Sequence, residues 1–156
     1  MEANETVKVV AQNRKARHDY HVIQTYEAGI SLLGTEVKSV REGHVNLRDA
    51  FARVHEGEVL LYSMGISAYR NRGYTEVDER RVRKLLLNRS EIRKIQRQVL
   101  EKGYTLVPLQ VYFKGQYLKV ELAVVQGKRE YDKRVTKEEQ QAKRELDREI
   151  KNRRKY

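Results

Sequence analysis

Thr105-Leu106-Val107-Pro108-Leu109-Gln110-Val111-Tyr112-Phe113-Lys114-Gly115-Gln116-Tyr117-Leu118-Lys119-Val120-Glu121-Leu122-Ala123-Val124-Val125 is the stretch that decides the fold. Val, Leu, Tyr and Phe dominate both halves. In the second half Leu118, Val120, Leu122 and Val124 alternate with Lys119 and Glu121. Period two with branched and aromatic residues means strand, and a Gly between two such runs means a hairpin. The stretch predicts strands over 105–113 and 117–125, with one face apolar and the other charged.

Upstream lies the clearest helix, over 89–102. Asn88 fits the N-cap, Glu91 completes a capping box, and Leu87 with Ile92 forms a hydrophobic staple. Ile92, Ile95 and Val99 make the buried stripe, Gly103 stops the helix, and Arg93, Lys94 and Arg97 leave the other face cationic. Farther back, residues 51–54 and 59–62 flank His55-Glu56-Gly57-Glu58 as a second hairpin. Residues 19–33 alternate as a long strand, with Gly29 as the expected bulge. Thr35 is placed to cap a short helix through Glu42 that Gly43 ends, with Val37 and Val40 inward and Glu36, Lys38 and Arg41 outward or flanking. This order is mainly β: a small antiparallel barrel with flanking α-helices, or alternatively an open α+β sandwich.

Composition sets the class. The chain has 156 residues, one Pro, no Cys and no Trp, with 33 Lys and Arg against 22 Asp and Glu, a net charge of +11. Zero Cys excludes a disulfide scaffold, Cys-based zinc sites and thiol chemistry. No run approaches a membrane span. Met1 to Thr6 lacks the basic-then-apolar order of an export signal, so a cytoplasmic protein without a membrane partner is expected. The positive field concentrates polyanions, and ten Tyr beside the cations favour nucleic acid over an anionic membrane surface.

The charge divides the chain at Gly127. Residues 1–127 carry 21 basic and 15 acidic side chains and read as one domain, whereas 128–156 carry 12 and 7. The tail's few apolar residues cannot offset the entropy of ordering it, so it is expected to be disordered when free. Ala142, Leu146 and Ile150 nevertheless recur at i, i+4, i+8, and no Pro or Gly interrupts the run, so it should become helical on binding.

No phosphate-binding Gly loop and no nucleophile elbow occurs. His18 and His21 lack a third metal ligand, and carboxylates such as Glu27, Glu36 and Glu121 stand singly, so no metal, no cofactor and no enzyme activity is expected. Glu27 and Glu36 are better suited to orient Arg or to accept hydrogen bonds from base or ribose donors. Three basic constellations remain: Asn13-Arg14-Lys15-Ala16-Arg17-His18-Asp19-Tyr20, Arg80-Arg81-Val82-Arg83-Lys84-Leu85-Leu86-Leu87-Asn88, and Gly127-Lys128-Arg129-Glu130-Tyr131-Asp132-Lys133-Arg134. Arg pairs phosphates or stacks on bases, and Asn pairs base edges. The residues by themselves point to an RNA-binding barrel with a basic tail.

The first of these segments, with Tyr26-Glu27-Ala28-Gly29-Ile30, Gly34-Thr35-Glu36-Val37-Lys38-Ser39, Arg83-Lys84-Leu85-Leu86-Leu87-Asn88, and Gly127-Lys128-Arg129 followed by Asp132-Lys133-Arg134, resembles the SmpB family, the bacterial partners of transfer-messenger RNA. The likeness runs in order over nearly the whole chain. Two departures are Asp78-Glu79-Arg80, where members usually have Pro after the Asp, and Tyr131, where some have His.

The resemblance implies a closed oligonucleotide-binding (OB-like) barrel. It implies a cytoplasmic adaptor, monomeric, that binds the tRNA-like domain of transfer-messenger RNA. With elongation factor Tu the adaptor enters the A site of a stalled ribosome for trans-translation, which tags the incomplete protein for proteolysis. The RNA-facing residues it implies are Asn13, Arg17, His18, Glu27, Arg41, Leu86, Asn88 and Lys119. Tyr131, Asp132, Lys133 and Arg134 would meet the decoding centre of 16S ribosomal RNA, and Ile150 and Lys151 would belong to a helix in the mRNA channel. Asn88 doubles as a helix cap in this reading, and Leu86 is either a contact or a buried prop. The alternatives are a generic ribosomal or single-stranded-RNA-binding barrel protein and, as an enzyme, an RNA-processing nuclease.

Overall fold

The computed structural model describes residues 6–67, 78–127 and 140–148. In chain order the elements are β1 (Val7–Gln12), α1 (Arg14–Asp19), β2 (Tyr20–Ile30), α2 (Gly34–Arg41), β3 (Val45–Asn46), β4 (Phe51–His55), β5 (Glu58–Tyr62), β6 (Gly65–Ile66), β7 (Arg83–Leu86), α3 (Arg89–Lys102), β8 (Thr105–Lys114) and β9 (Tyr117–Gly127). The protein is mainly β with flanking helices. Seven strands pair antiparallel in the order β1-β8-β4-β5-β7-β2-β9, and β8 also pairs with β9. β3 and β6 form a separate two-stranded ribbon.

Both expected hairpins are present. In the β4–β5 hairpin His55 faces Glu58, and Glu56 and Gly57 between them have φ of +50° and +78°, the mirror-image turn that suits strand twist. α3 begins and ends where its local signals put it. The Asn88 amide donates to Glu91 Oε1 at 3.3 Å, and Gly103, at φ +66°, donates its N–H to the Val99 carbonyl. Ile95 is fully buried, with Leu87, Ile92 and Val99 packed around the same core.

That core joins Val120, Leu122 and Val124 of β9 to Tyr26 and Ala28 of β2, Leu61 of β5 and Leu85 of β7. The apolar face read from the alternation is therefore the inward one. The opposite face is not polar throughout. Ala123 and Val125 are buried with Val107, Leu109 and Ala16, because α1 lies across that end of the sheet.

Four expectations change. The Asn13–Tyr20 run, which appears in the sequence only as a basic stretch, contains the helix α1, preceded by strand β1 on the edge of β8. Gly29 is not a bulge. The register of β2 slips between Val22 and Gln24, while Gly29 faces Lys119 on one side and Leu86 on the other. A Cβ there would stand 3.3 Å from Leu86 Cβ, so close strand approach is what requires glycine. α2 starts two residues earlier than expected, with Leu33 rather than Thr35 at the cap, and the Glu36 carboxylate accepts the Leu33 N–H at 2.9 Å. Glu36 itself points inward, 4% exposed, because two arginines meet it there. Of the tail, residues 140–148 are helical and exposed, and Ala142 and Leu146 share one face of that helix.

Candidate nucleic-acid interface

Past the end covered by α1, the outer face of β8, β9 and β2 turns polar. Alternation sends Gln110, Tyr112 and Lys114 outward from β8 and Tyr117, Lys119 and Glu121 from β9. They face each other in register as Gln110–Glu121, Tyr112–Lys119 and Lys114–Tyr117. On the other side of β9, Glu27 of β2 stands directly opposite Glu121.

Two carboxylates placed like this repel, and the neighbours compensate. Tyr112 donates its hydroxyl to Glu27 Oε2 at 2.6 Å, and Lys114 Nζ lies 3.5 Å from Oε1. Gln110 donates to Glu121 Oε2 at 2.8 Å, and Arg17 Nη2 reaches across from α1 to within 3.5 Å of Oε1. The Tyr112 hydroxyl, helped by Lys114 and Lys119 and opposed by partial burial, holds Glu27 below the ordinary carboxylate range. Burial, and then the same hydrogen bond, push the Tyr112 hydroxyl up. At neutral pH Glu27 is therefore a fixed acceptor and Tyr112 a fixed donor.

The face presents charges of both signs in a set pattern. Arg17, Lys114 and Lys119 attract phosphates, while Glu27 and Glu121 repel them and accept only base or ribose donors. Tyr117, 70% exposed, offers a ring, with Lys119 Nζ 5.9 Å from its centre. Such a surface favours a folded RNA whose phosphates and hydroxyls fall in matching places over any polyanion.

Of the eight candidate RNA residues, Arg17, Glu27 and Lys119 lie on this face. Leu86 joins them. It is half exposed and packs on Gly29 beside Lys119, so it is a surface residue and not a buried prop. Arg41, at the end of α2, is not on this face: its guanidinium lies 4.8 Å above the ring of Phe113, which points to the core side of β8, opposite to Tyr112 and Lys114. Asn88 is exposed at the start of α3, two residues after Leu86.

Two more candidates sit elsewhere. Asn13 is only 7% exposed and every polar atom of its side chain is engaged inside the fold. Its Oδ1 accepts from the Ala16 amide, and its Nδ2 donates to the Pro108 and Leu47 carbonyls. His18 pairs through Nδ1 with Asp19 Oδ1 at 3.0 Å, and its Nε2 is buried without a hydrogen bond. Both belong to the setting of α1. Tyr131, Asp132, Lys133, Arg134, Ile150 and Lys151 lie outside the described residues.

The second basic run also divides. Arg83 is 1% exposed and serves the fold, whereas Lys84 is at the surface beside Glu58. Gln110, Tyr112, Lys114 and Tyr117 were not singled out from the sequence. Their signal was present, since they are the outward positions of the same alternation that exposed Lys119 and Glu121. Among the described residues, no group of three His, Cys, Asp or Glu is placed to hold a metal ion, and no helix is long and apolar enough to cross a membrane.

Comparison with known proteins gives a consistent result. The family described as SmpB protein matches residues 10–152. An SsrA-binding protein from Caldanaerobacter subterraneus subsp. tengcongensis is 55% identical over 147 residues, covering 94% of this chain and 93% of the relative. One from Pseudarthrobacter chlorophenolicus is 56% identical over 146 residues, covering 94% and 92%. Among solved structures, a chain of "tmRNA-SmpB: a journey to the center of the bacterial ribosome" superposes with a TM-score of 0.65 at 49% identity, over 77% of this chain and 85% of that one.

Proposed function

The chain belongs to the SmpB family, and we propose from that premise that it binds transfer-messenger RNA and acts with it in trans-translation on stalled ribosomes. The observation that carries this reading is the sheet face on which Tyr112, Lys114, Gln110 and Arg17 hold Glu27 and Glu121 in fixed places beside Lys119. It suits a structured partner, and the tRNA-like domain is the part of that RNA we assign to it. The pairing of β8 with both β4 and β9 supports reading the strands as a closed OB-like barrel, not an open sandwich.

On this reading the barrel carries the RNA, and elongation factor Tu brings both to the vacant A site. The protein works as a monomer in the cytoplasm and catalyses no reaction itself. Its segment 128–156, disordered before binding, reaches the decoding centre with Tyr131, Asp132, Lys133 and Arg134. It then lies as a helix in the empty mRNA channel with Ile150 and Lys151. The helix at 140–148 supports the channel helix, and the cations around it are placed to meet ribosomal phosphates.

Gel-shift competition tests the assignment. Labelled tRNA-like domain should stay bound against excess unstructured RNA, and equal displacement by the two would favour a generic single-strand binder. Arg17→Ala and Arg41→Ala should each weaken that complex roughly tenfold. The melting temperature should barely move, since an exposed ion pair such as Arg17–Glu121 contributes about 0–1 kcal/mol. A comparable loss of stability would put these residues in the fold instead.

Removing residues 131–156 should leave affinity for the tRNA-like domain within about twofold, because distant sites act independently, yet abolish tagging in a reconstituted stalled-ribosome assay. Loss of RNA affinity on truncation would end the division of labour between body and tail.

A further inference from the structure

Glu27 and Glu121 stand directly opposite each other on β2 and β9, and like charges so placed destabilise a sheet. Each also repels the phosphates that Arg17, Lys114 and Lys119 attract. The fold gains nothing from the facing charges, and phosphate binding is weakened by them. Glu121 is not among the residues that the family resemblance implies; the register alone brings it beside Glu27.

The oxygens of both side chains are held in place without being used up. Glu27 accepts one hydrogen bond, from the Tyr112 hydroxyl at 2.6 Å, with Lys114 Nζ 3.5 Å away. Glu121 accepts one from Gln110 at 2.8 Å, with Arg17 Nη2 at 3.5 Å. An ionised carboxylate has about four acceptor positions, so each keeps room for a donor from outside. The two side chains are 40% and 24% exposed, whereas Tyr112, which fixes Glu27, is buried.

A folded RNA offers few donors to such a flat surface. In its paired stretches most base amino groups are taken up in pairing or lie in a groove too deep for side chains. The wide, shallow groove instead displays a 2′-hydroxyl on every nucleotide. Placement on the sheet agrees with this donor. Glu121 lies between Lys119, one outward position along β9 and about 7 Å away, and Arg17 of α1, the helix that covers Ala123. Each ribose likewise carries its 2′-hydroxyl between two phosphates.

We propose that Glu27 and Glu121 are the sugar-reading residues of this face, each accepting a hydrogen bond from a ribose 2′-hydroxyl of the bound RNA. The protein then selects RNA by its sugar as well as by its shape, and the cations on either side take the flanking phosphates. The proposal rests on the RNA-binding reading above and deepens it. The competing donor is the guanine amino group, which reaches the same shallow groove.

The test uses the full chain and transcripts of the tRNA-like domain that carry sparse 2′-deoxynucleotides, each marked by a phosphorothioate. Bound and free pools are separated, and iodine cleavage shows where deoxy sugars are depleted from the bound pool. Transcripts with phosphorothioates on normal ribose are the control. The unmodified chain should exclude deoxy sugars at a few positions. Glu121→Ala should erase exclusion at one of them and Glu27→Ala at another, while exclusion of phosphorothioates in the control persists. An RNA with a single deoxy sugar at an erased position should bind the unmodified chain about tenfold more weakly than all-ribose RNA. The matching variant should bind both RNAs equally. Discrimination is the quantity to read, because removing a negative charge also strengthens the attraction for phosphates. Glu121→Ala relieves the facing charges and should melt normally, so it carries the test if Glu27→Ala, which takes the acceptor from Tyr112, lowers the midpoint.

Absence of any deoxy interference, or interference unchanged in both variants, would overturn the proposal. So would variants that relieve interference by inosine, which lacks the guanine amino group, and leave that of the deoxy sugar intact. Failure of the unmodified chain to bind unsubstituted tRNA-like domain is a separate result, which removes the parent reading and this one with it.

Discussion

Asn13→Ala should destabilise the protein by about 3 kcal/mol, from a lost helix cap of about 1 kcal/mol and two lost side-chain hydrogen bonds to the Pro108 and Leu47 carbonyls of about 1 kcal/mol each. For a chain this long that lowers the thermal midpoint by roughly 10 °C. The cause lies in how β8 changes neighbours. Its outer edge pairs with β4 at Leu106 and with β1 from Gln110 onward, leaving Pro108 and Leu109 between two partners. Asn13 closes this gap. Its backbone N–H donates to the Leu109 carbonyl at 2.7 Å, and its side-chain amide donates to the Pro108 carbonyl at 3.1 Å and to Leu47 at 3.3 Å. Its Oδ1 meanwhile caps α1 through the Ala16 N–H. One residue thus starts α1 and replaces missing rungs of the ladder. Asn13→Asp separates the two roles, because it keeps the capping oxygen but sets a carboxylate against two carbonyls; it should be no more stable than the Ala variant. Thermal unfolding of both decides the matter. If Asn13→Ala melted normally and lost RNA affinity alone, Asn13 would be a direct contact.

The same residue shows where reading from sequence reached its limit. Signals that act within a few residues were legible. The cap and stop of α3 depend on Asn88, Glu91 and Gly103, and the two hairpins depend on period-two alternation around Gly57 and Gly115. All of these are where the residues placed them. α1 was hidden because its six residues bury only Ala16 and so carry no periodicity. β1 was hidden because an edge strand open to solvent need not alternate. The role of Asn13 depends on carbonyls 34 and 95 positions away, and no local pattern encodes such partners. The interface divides in the same manner. Arg17 and Glu27 were legible as a cation and an acceptor for RNA, whereas Leu86 and Lys119 entered as RNA-facing residues through family resemblance. Their convergence depends on β9 lying between β8 and β2, a pairing that composition cannot specify. Tyr112 and Lys114 follow at once from the alternation when that order is known.

Arg83→Met should cost about 3–5 kcal/mol, the usual penalty for removing one partner of a buried ion pair. Arg83 is among the largest fully buried side chains, and all its donors are used. Nε and Nη2 bond Glu36 Oε2 at 2.8 and 2.6 Å, Nη1 bonds the Met64 and Arg81 carbonyls, and Nη2 also bonds the Glu79 carbonyl. Arg81 takes the other carboxylate oxygen from the rim. One carboxylate on α2 therefore ties together β7 and the ends of the segment between Met64 and Glu79. Arg83→Met leaves Glu36 half paired and takes the guanidinium donor from the Met64, Arg81 and Glu79 carbonyls, of which Glu79 still accepts the Ile66 N–H. Glu36→Gln leaves two guanidiniums facing a neutral amide. Replacing both, as Glu36→Leu/Arg83→Met, should cost less than the sum of the single changes, since Arg81 can turn to solvent and no charge stays buried. Acid supplies an independent check. Burial pushes the Glu36 carboxyl up, but hydrogen bonds from Arg81, Leu33 and Arg83 outweigh it and hold the group below its ordinary value. A carboxylate lowered in the folded state stabilises fully above its unfolded pKa of about 4.3, and that contribution is lost as pH falls through the lower folded value. The urea midpoint of the unmodified protein should fall steeply across that window, and that of Glu36→Gln less so. Parallel curves for the two proteins would mean that the carboxylate contributes no charge-dependent stability, and the clamp would have to act through packing alone.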